Sequence, residues 1–149
     1  MNIHLISVGK LDKNFSVIAA HYTKMIKWSV KFTEISHNKK LLPEQIKIFE
    51  GKLITDTLSN QSLKIALEVT GKAVSSHEFA ELLEKALAEY RAIDFIIGGA
   101  FGLDYKVSSS AHHKISLSNM TMPHMLAKVI LLEQIYRAQT ILQNHPYHK

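Results

Sequence analysis

The sequence contains no cysteine. That excludes disulfides, a cysteine nucleophile and zinc sets with thiolate ligands, and it fits a reducing, cytoplasmic compartment. Arginine is scarce, with only Arg91 and Arg137, so bidentate reading of bases supplies little of any specificity. The opening Met1-Asn2-Ile3-His4-Leu5 lacks a basic n-region and a long apolar run, so no signal peptide is expected. The longest apolar stretch, Met122 to Leu142, carries Lys128, Glu133 and Arg137. Three charges argue for a buried helix of a soluble protein, with no membrane span. No repeat, low-complexity tract or linker interrupts the chain. Its 149 residues, 46% of them apolar, are enough for one domain, 1–149, with its own core.

What is present is unevenly placed. Residues 1–72 hold eleven lysines against six acidic residues, a net +5, whereas residues 73–149 balance at zero. A basic half suits a polyanion such as nucleic acid, and equally suits a solvated lysine face.

Hydrophobic spacing gives the elements. Asn2 to Val8 reads as a buried strand ending at Gly9. Asn14 is placed to cap a helix with Phe15, Ile18, Ala19, Tyr22, Met25 and Ile26 on one side. Val30 to Ile35 is a second strand. Pro43 opens a helix presenting Ile46, Phe49, Leu53 and Thr57. Leu63 to Val69 is a third strand, closed by a Thr70-Gly71-Lys72 turn. Ser75 and Glu78 form a capping box for the next helix. Asp94–Ile97 and Ile115–Leu117 are short strands joined by a loop, and Pro123 starts a last helix running to about Leu142. Strands alternating with helices predict an α/β fold with a mostly parallel sheet and flanking helices.

In such sheets ligands bind beyond the carboxyl ends of the strands. Three ends stand out: Leu67–Lys72, Gly98–Gly102 and Leu117–Met122. Gly98 and Gly99 allow close backbone approach to a ligand, or simply make a tight turn. Gly98-Gly99-Ala100-Phe101-Gly102 is not a dinucleotide fingerprint. Of nine histidines, His112, His113, His124, His145 and His148 lie in the last third, yet none has metal-ligand spacing, so no metal is expected. His112 and His113 read as solvated loop residues, and His124 as a polar ligand contact or a helix cap. The tail His145-Pro146-Tyr147-His148 joins a rigid proline, an aromatic platform and two titratable rings. It suits stacking on a base and contacting phosphate, or docking on another subunit. The last helix is apolar on more than one face, which asks for cover on two sides and predicts a homodimer.

Taken together, F-I-I-G-G-x-x-G-L, L-S-x-x-T-x-P-H, the E-Q-x-Y-R-A helix and the terminal H-P-Y-H resemble the RlmH family, and the opening I-x-L-I-S-V-G-K extends the resemblance over essentially the whole chain. That family comprises SPOUT-class, S-adenosylmethionine-dependent methyltransferases acting on a pseudouridine of 23S ribosomal RNA; with no separate RNA-binding module in the chain, the assembled ribosome is the expected substrate. The resemblance implies a trefoil-knotted cofactor region at about 63–149 and a cofactor held at the dimer interface. Neither the knot nor the cofactor follows from composition or periodicity. The implied cofactor contacts are Leu67, Gly98, Gly99, Gly102, Leu117, Ser118, Asn119, Met120, Thr121 and Met122. Two departures stand out. Ala100-Phe101 replaces the family's usual proline and acidic residue, and the chain ends at Lys149 where Arg-Glu is usual.

The implied reaction methylates N3 of the base. Loss of the imide proton asks for a base or an anion stabiliser. The implied candidates are His124 and the tail residues Tyr147 and His148, supplied by the same or the other subunit. The rivals are a SPOUT enzyme acting on tRNA, which the H-P-Y-H tail argues against, and a cofactor-dead RNA-binding protein.

Overall fold

A computed structural model describes residues 1–149. Five strands form one sheet in the order β2-β1-β4-β3-β5, every pairing parallel. They are β1 (Asn2–Val8), β2 (Ser29–Ile35), β3 (Ser62–Ala73), β4 (Ala92–Ile97) and β5 (His113–Ser116). The helices are α1 (Lys13–Met25), α2 (Pro43–Thr55), α3 (Ser76–Glu89), α4 (Tyr105–Ser110) and α5 (His124–Leu142). All carboxyl ends therefore share one edge of the sheet. No helix is long and apolar enough to cross a membrane.

The alternation of the strands supplies two cores. Ile3, Leu5, Leu63, Ile65, Ile93, Phe95 and Ile97 face α1, α3 and α5. Ile6, Val8, Ala66 and Ile96 face the other way, with Ile54 of α2 and Val107 of α4. Cover on both faces is why these strands read as continuous apolar runs. In α5, Leu131, Leu132 and Ile135 are completely buried. Each contributes about 1.5–3 kcal/mol by leaving water.

Local signals decide where several helices begin. The Ser75 hydroxyl accepts the Glu78 N–H at 3.1 Å, and the Glu78 carboxylate accepts the Ser75 N–H at 2.7 Å, so the capping box forms. Hydrogen bonding to the carboxylate by the Ser75 backbone first, and by the Ser75 side chain second, holds the Glu78 carboxyl below its usual range. The cap of α1 is Asp12, not Asn14: its carboxylate accepts the Phe15 N–H at 2.9 Å. Pro43 opens α2, but the buried face is Glu50, Gly51 and Ile54, rotated from the expected one, whose residues are only half-buried. The expected loop after β4 contains α4, capped by Asp104. Pro123 precedes α5 as its cap.

Thr70-Gly71-Lys72 is not a terminal turn. β3 continues to Ala73, and its register against β5 jumps: Ile115 is opposite both Leu67 and Lys72. Glu68 to Gly71 lie between the two registers, unpaired with β5. A Cβ on Gly71 would lie 2.6–2.8 Å from the backbone of Lys114 and Ile115, so only glycine lets the two strands touch there.

Candidate functional site

The irregular stretch within β3 and the loops that follow β4 and β5 surround one cavity of about 920 Å3 at the shared edge. Its wall holds Leu67 to Thr70, Ile97 to Leu103 and Ser116 to Ala127 except Asn119, Met125 and Leu126, with Lys47 contributed by α2. Of the residues singled out from sequence, Leu67, Gly98, Gly99, Gly102, Leu117, Ser118, Met120, Thr121, Met122 and His124 share this wall. Asn119 is exposed outside it. A second groove of about 410 Å3, along β5 and α3, contains none of them.

The glycine loop is shaped by the protein beneath it. The Gly102 N–H donates to the Gly99 carbonyl at 3.1 Å, closing a tight turn. Gly102 has φ +83°, a left-handed conformation that glycine adopts without strain. A Cβ on Gly98 would lie 2.8 Å from the Gly102 carbonyl carbon, and one on Gly99 2.8 Å from Glu50 Oε2. Both positions are occupied by the chain itself, so the glycines fit the loop down while its other side lines the cavity.

The loop after β5 is held by side-chain oxygens. Ser116 Oγ donates to the Ser118 carbonyl at 2.8 Å, and Ser118 Oγ accepts the Met120 N–H at 3.0 Å. His124 then stands at the cavity rim in the first turn of α5. Its Nε2 faces the Lys10 carbonyl at 3.4 Å. A carbonyl only accepts, so a neutral ring that donates there from Nε2 has Nδ1 as its acceptor. One turn on, Lys128 is wholly buried. Its Nζ donates to the Gly9 carbonyl and to Glu34 Oε1, both at 2.7 Å. This pair ties the start of α5 to the ends of β1 and β2.

The tail lies elsewhere in the same chain. Tyr147 Oη donates to Glu133 Oε1 at 3.1 Å, and its ring is covered by Arg137 at 4.8 Å and meets Tyr136 at 4.7 Å. Arg137 donates to Glu133 through Nε at 3.0 Å and to His148 Nδ1 through Nη1 at 3.2 Å. The His148 ring rests edge-on against His77 of α3, 4.7 Å away. Burial, followed by the Glu133 hydrogen bond, pushes the Tyr147 hydroxyl up to about 12. Glu133 lies nine residues beyond His124 on α5, about 13 Å along the axis at ~1.5 Å per residue. The chain therefore gathers Tyr147 with His148 and leaves His124 apart from both.

His112 and His113 are exposed, as expected; His112 lies in the loop, where its Nδ1 accepts the Lys64 N–H at 2.9 Å, whereas His113 belongs to β5. No group of three or more His, Cys, Asp or Glu side chains is placed to hold a metal ion. Sequence reasoning missed Glu50, buried beneath Gly99; the only signal was its spacing of four residues from Ile54 on α2.

The family model described as "Predicted SPOUT methyltransferase" matches residues 1–148, which puts this all-parallel sheet, with its one cavity at the carboxyl edge, in the class of the SPOUT methyltransferases. The fold is shared with a solved probable methyltransferase from Bordetella pertussis Tohama I (TM-score 0.61, 13% identity, 91% of this chain and 95% of that one). It is also shared with ribosomal RNA small subunit methyltransferase E from Neisseria gonorrhoeae, solved bound to S-adenosyl methionine (TM-score 0.53, 11% identity, 95% and 66%). In sequence, the chain is 42% identical over 159 aligned positions to the ribosomal RNA large subunit methyltransferase H of Clostridium botulinum (strain Okra / Type B1), all of both chains being covered. It is 40% identical, again over the full length of both, to that of Acholeplasma laidlawii (strain PG-8A). The chain belongs to the ribosomal RNA large subunit methyltransferase H family.

Proposed function

We propose that this protein transfers the methyl group of S-adenosylmethionine to large-subunit ribosomal RNA, at N3 of a pseudouridine in 23S rRNA. The observation that carries the reading is the convergence of the β3 irregularity and the loops after β4 and β5 on one cavity, in a chain that matches this family from end to end.

The cavity suits the cofactor. Its wall mixes apolar groups (Leu67, Ile97, Leu103, Met122) with the backbone of the glycine loop and of Leu117 to Met122. Apolar walls with a few fixed polar groups are what a nucleoside needs. When bound, S-adenosylmethionine supplies an already activated methyl group. The protein's own task is then alignment and proton management. The glycine loop and the Ser116-Ser118 turn hold the ligand with backbone groups. His124 Nδ1, the free acceptor at the rim, takes the N3 proton or steadies the base as that proton leaves. Tyr147, held as a neutral phenol, stacks or donates and does not act as the base, and His148 contacts the RNA.

The clasped tail and the cavity are too far apart to serve one base within a chain, so a homodimer brings one copy's tail to the other's cavity. Sheet, α1 and α3 already cover most of α5, which leaves a smaller apolar remainder than its composition suggests. That remainder is the exposed Leu126 with half-buried Met125 and Ile130, and Val17 and Ile18 stand exposed on the adjoining α1. The contact between β3 and β5 at Gly71 is the feature most consistent with a knotted crossing. Lys10 and Lys13 follow β1, Lys39 and Lys40 follow β2, and all are exposed on the cavity's edge of the sheet. They are placed to meet rRNA phosphates.

The test is transfer of labelled methyl from cofactor to ribosomes and to free transcript, with the modified nucleotide mapped. One labelled pseudouridine, methylated better in ribosomes, is the expected result. No calorimetric binding of cofactor in the micromolar range overturns the enzyme reading in favour of a cofactor-dead RNA-binding protein. Equal activity on naked transcript overturns the ribosomal one.

A further inference from the structure

We infer that Glu50, lying under the glycine loop, makes the cavity select the cationic sulfonium cofactor over its neutral thioether product. The inference rests on the cofactor reading above. Glu50 is 5% exposed, a carboxylate taken out of water on the inner face of α2. Oε1 accepts from His37 Nε2 at 2.7 Å. Oε2 is the one buried side-chain polar atom in the molecule with no hydrogen-bond partner. It lies against Gly99, where a Cβ would come within 2.8 Å of it.

His37 does not cancel the charge. The Lys39 N–H donates to His37 Nδ1 at 3.2 Å, so that nitrogen is an acceptor and the ring's proton sits on Nε2, facing Glu50. A neutral imidazole beside a carboxylate leaves the pair with a net negative charge. The loop above carries no charged side chain, from Gly98 through Gly102. In the cavity wall, Lys47 is paired with Glu44 at 3.0 Å, and Glu68 is engaged by Ser108 at 2.8 Å. Glu68 also keeps its charge but is only half-buried, so solvent screens it; Glu50 is the carboxylate whose free oxygen is held out of water, separated from the cavity by one layer of backbone.

A buried polar atom without a partner is costly and is retained where it acts. In a low-dielectric setting its field favours a cation across the loop and is indifferent to a neutral ligand. Methyl transfer breaks the S–CH3 bond, leaves the electron pair on sulfur and removes that cation. The charge that draws the donor in therefore does not retain the spent molecule.

Calorimetry with S-adenosylmethionine and S-adenosylhomocysteine, on the full-length wild type and on Glu50→Gln, tests this. The variant should weaken the sulfonium ligand about tenfold relative to the thioether. An equal loss for both ligands shows that Glu50 only supports the loop, and no change in either shows that its charge is not felt; each overturns the inference. His37→Ala, which keeps the carboxylate and frees its second oxygen, gives an independent check. It should keep or increase the preference, and loss of the preference overturns the inference even if Glu50→Gln does not fold. A wild type that binds neither ligand sinks the cofactor reading itself, whereas an unchanged ratio in a protein that binds both sinks only this inference.

Discussion

The segments around the cavity are shaped mainly by backbone contacts, whereas the clasp that holds the tail on α5 is almost entirely side chain. At the cavity, loops are set by the register shift in β3, the turn closed from Gly102 to Gly99, and glycines whose missing Cβ positions are filled by neighbouring atoms. At the clasp, one carboxylate, Glu133, receives Arg137 and Tyr147, and two aromatic contacts cover the ring. A site of the first kind should tolerate changes of side chain and fail when a methyl group is added. The second should tolerate added volume and fail when one charge is removed. The helix they share, α5, is fixed at the cavity end by Lys128.

The largest effect should come from breaking that common anchor. Lys128→Ala leaves Glu34 and the Gly9 carbonyl without their shared donor and opens a hole in the core. Loss of one partner from a buried pair costs about 3–5 kcal/mol, read as a shift of the urea midpoint. Both regions should fail together, and a loss below about 1 kcal/mol would show that α5 is held by its apolar face alone. Next in size is Gly71→Ala, which separates the two regions. The added methyl meets backbone that has no rotamer to change, and overpacking of this kind costs about 1–3 kcal/mol. Cofactor affinity should fall at least about tenfold because the β3 irregularity and the β5 loop move apart, while the tail keeps its contacts. Unchanged affinity would mean that the cavity does not depend on the strand contact.

Local features were legible in the sequence. β1 ends where the apolar run meets Gly9, Pro43 opens α2, and the Ser75–Glu78 box forms, because each is set within a few residues. The three strand ends could be chosen because a parallel sheet puts all its carboxyl ends on one edge. What lay beyond reach was non-local. β3 runs through Thr70-Gly71-Lys72 because β5, more than forty residues later, pairs with it twice. Glu50 reads as a solvated helix residue until the glycine loop is laid on top of it. Asp12 outcompetes Asn14 because the helix starts one residue after Asp12, a boundary that periodicity does not resolve. The Glu133, Gln134, Tyr136 and Arg137 positions announced a motif but not its partner, since the tail that three of them grip comes a full helix turn or more later.

The smallest effect in stability is the most informative about the clasp. The Tyr147 hydroxyl is pushed from 10 up to about 12, by burial first and by Glu133 second. A raised folded value means that the stabilisation is fully present below pH 10, the unfolded value, and is lost as pH rises through about 12. An alkaline titration followed by phenolate absorbance should therefore show one of the five tyrosines ionising late. Glu133→Gln should bring that tyrosine part of the way back toward 10, burial being the larger cause. It should cost less than about 1 kcal/mol, because the ion pair with Arg137 is partly exposed. If the late tyrosine is unmoved, Glu133 does not set the clasp. If it moves while cofactor affinity stays and methyl transfer to ribosomes falls, the clasp belongs to the RNA side of the reaction.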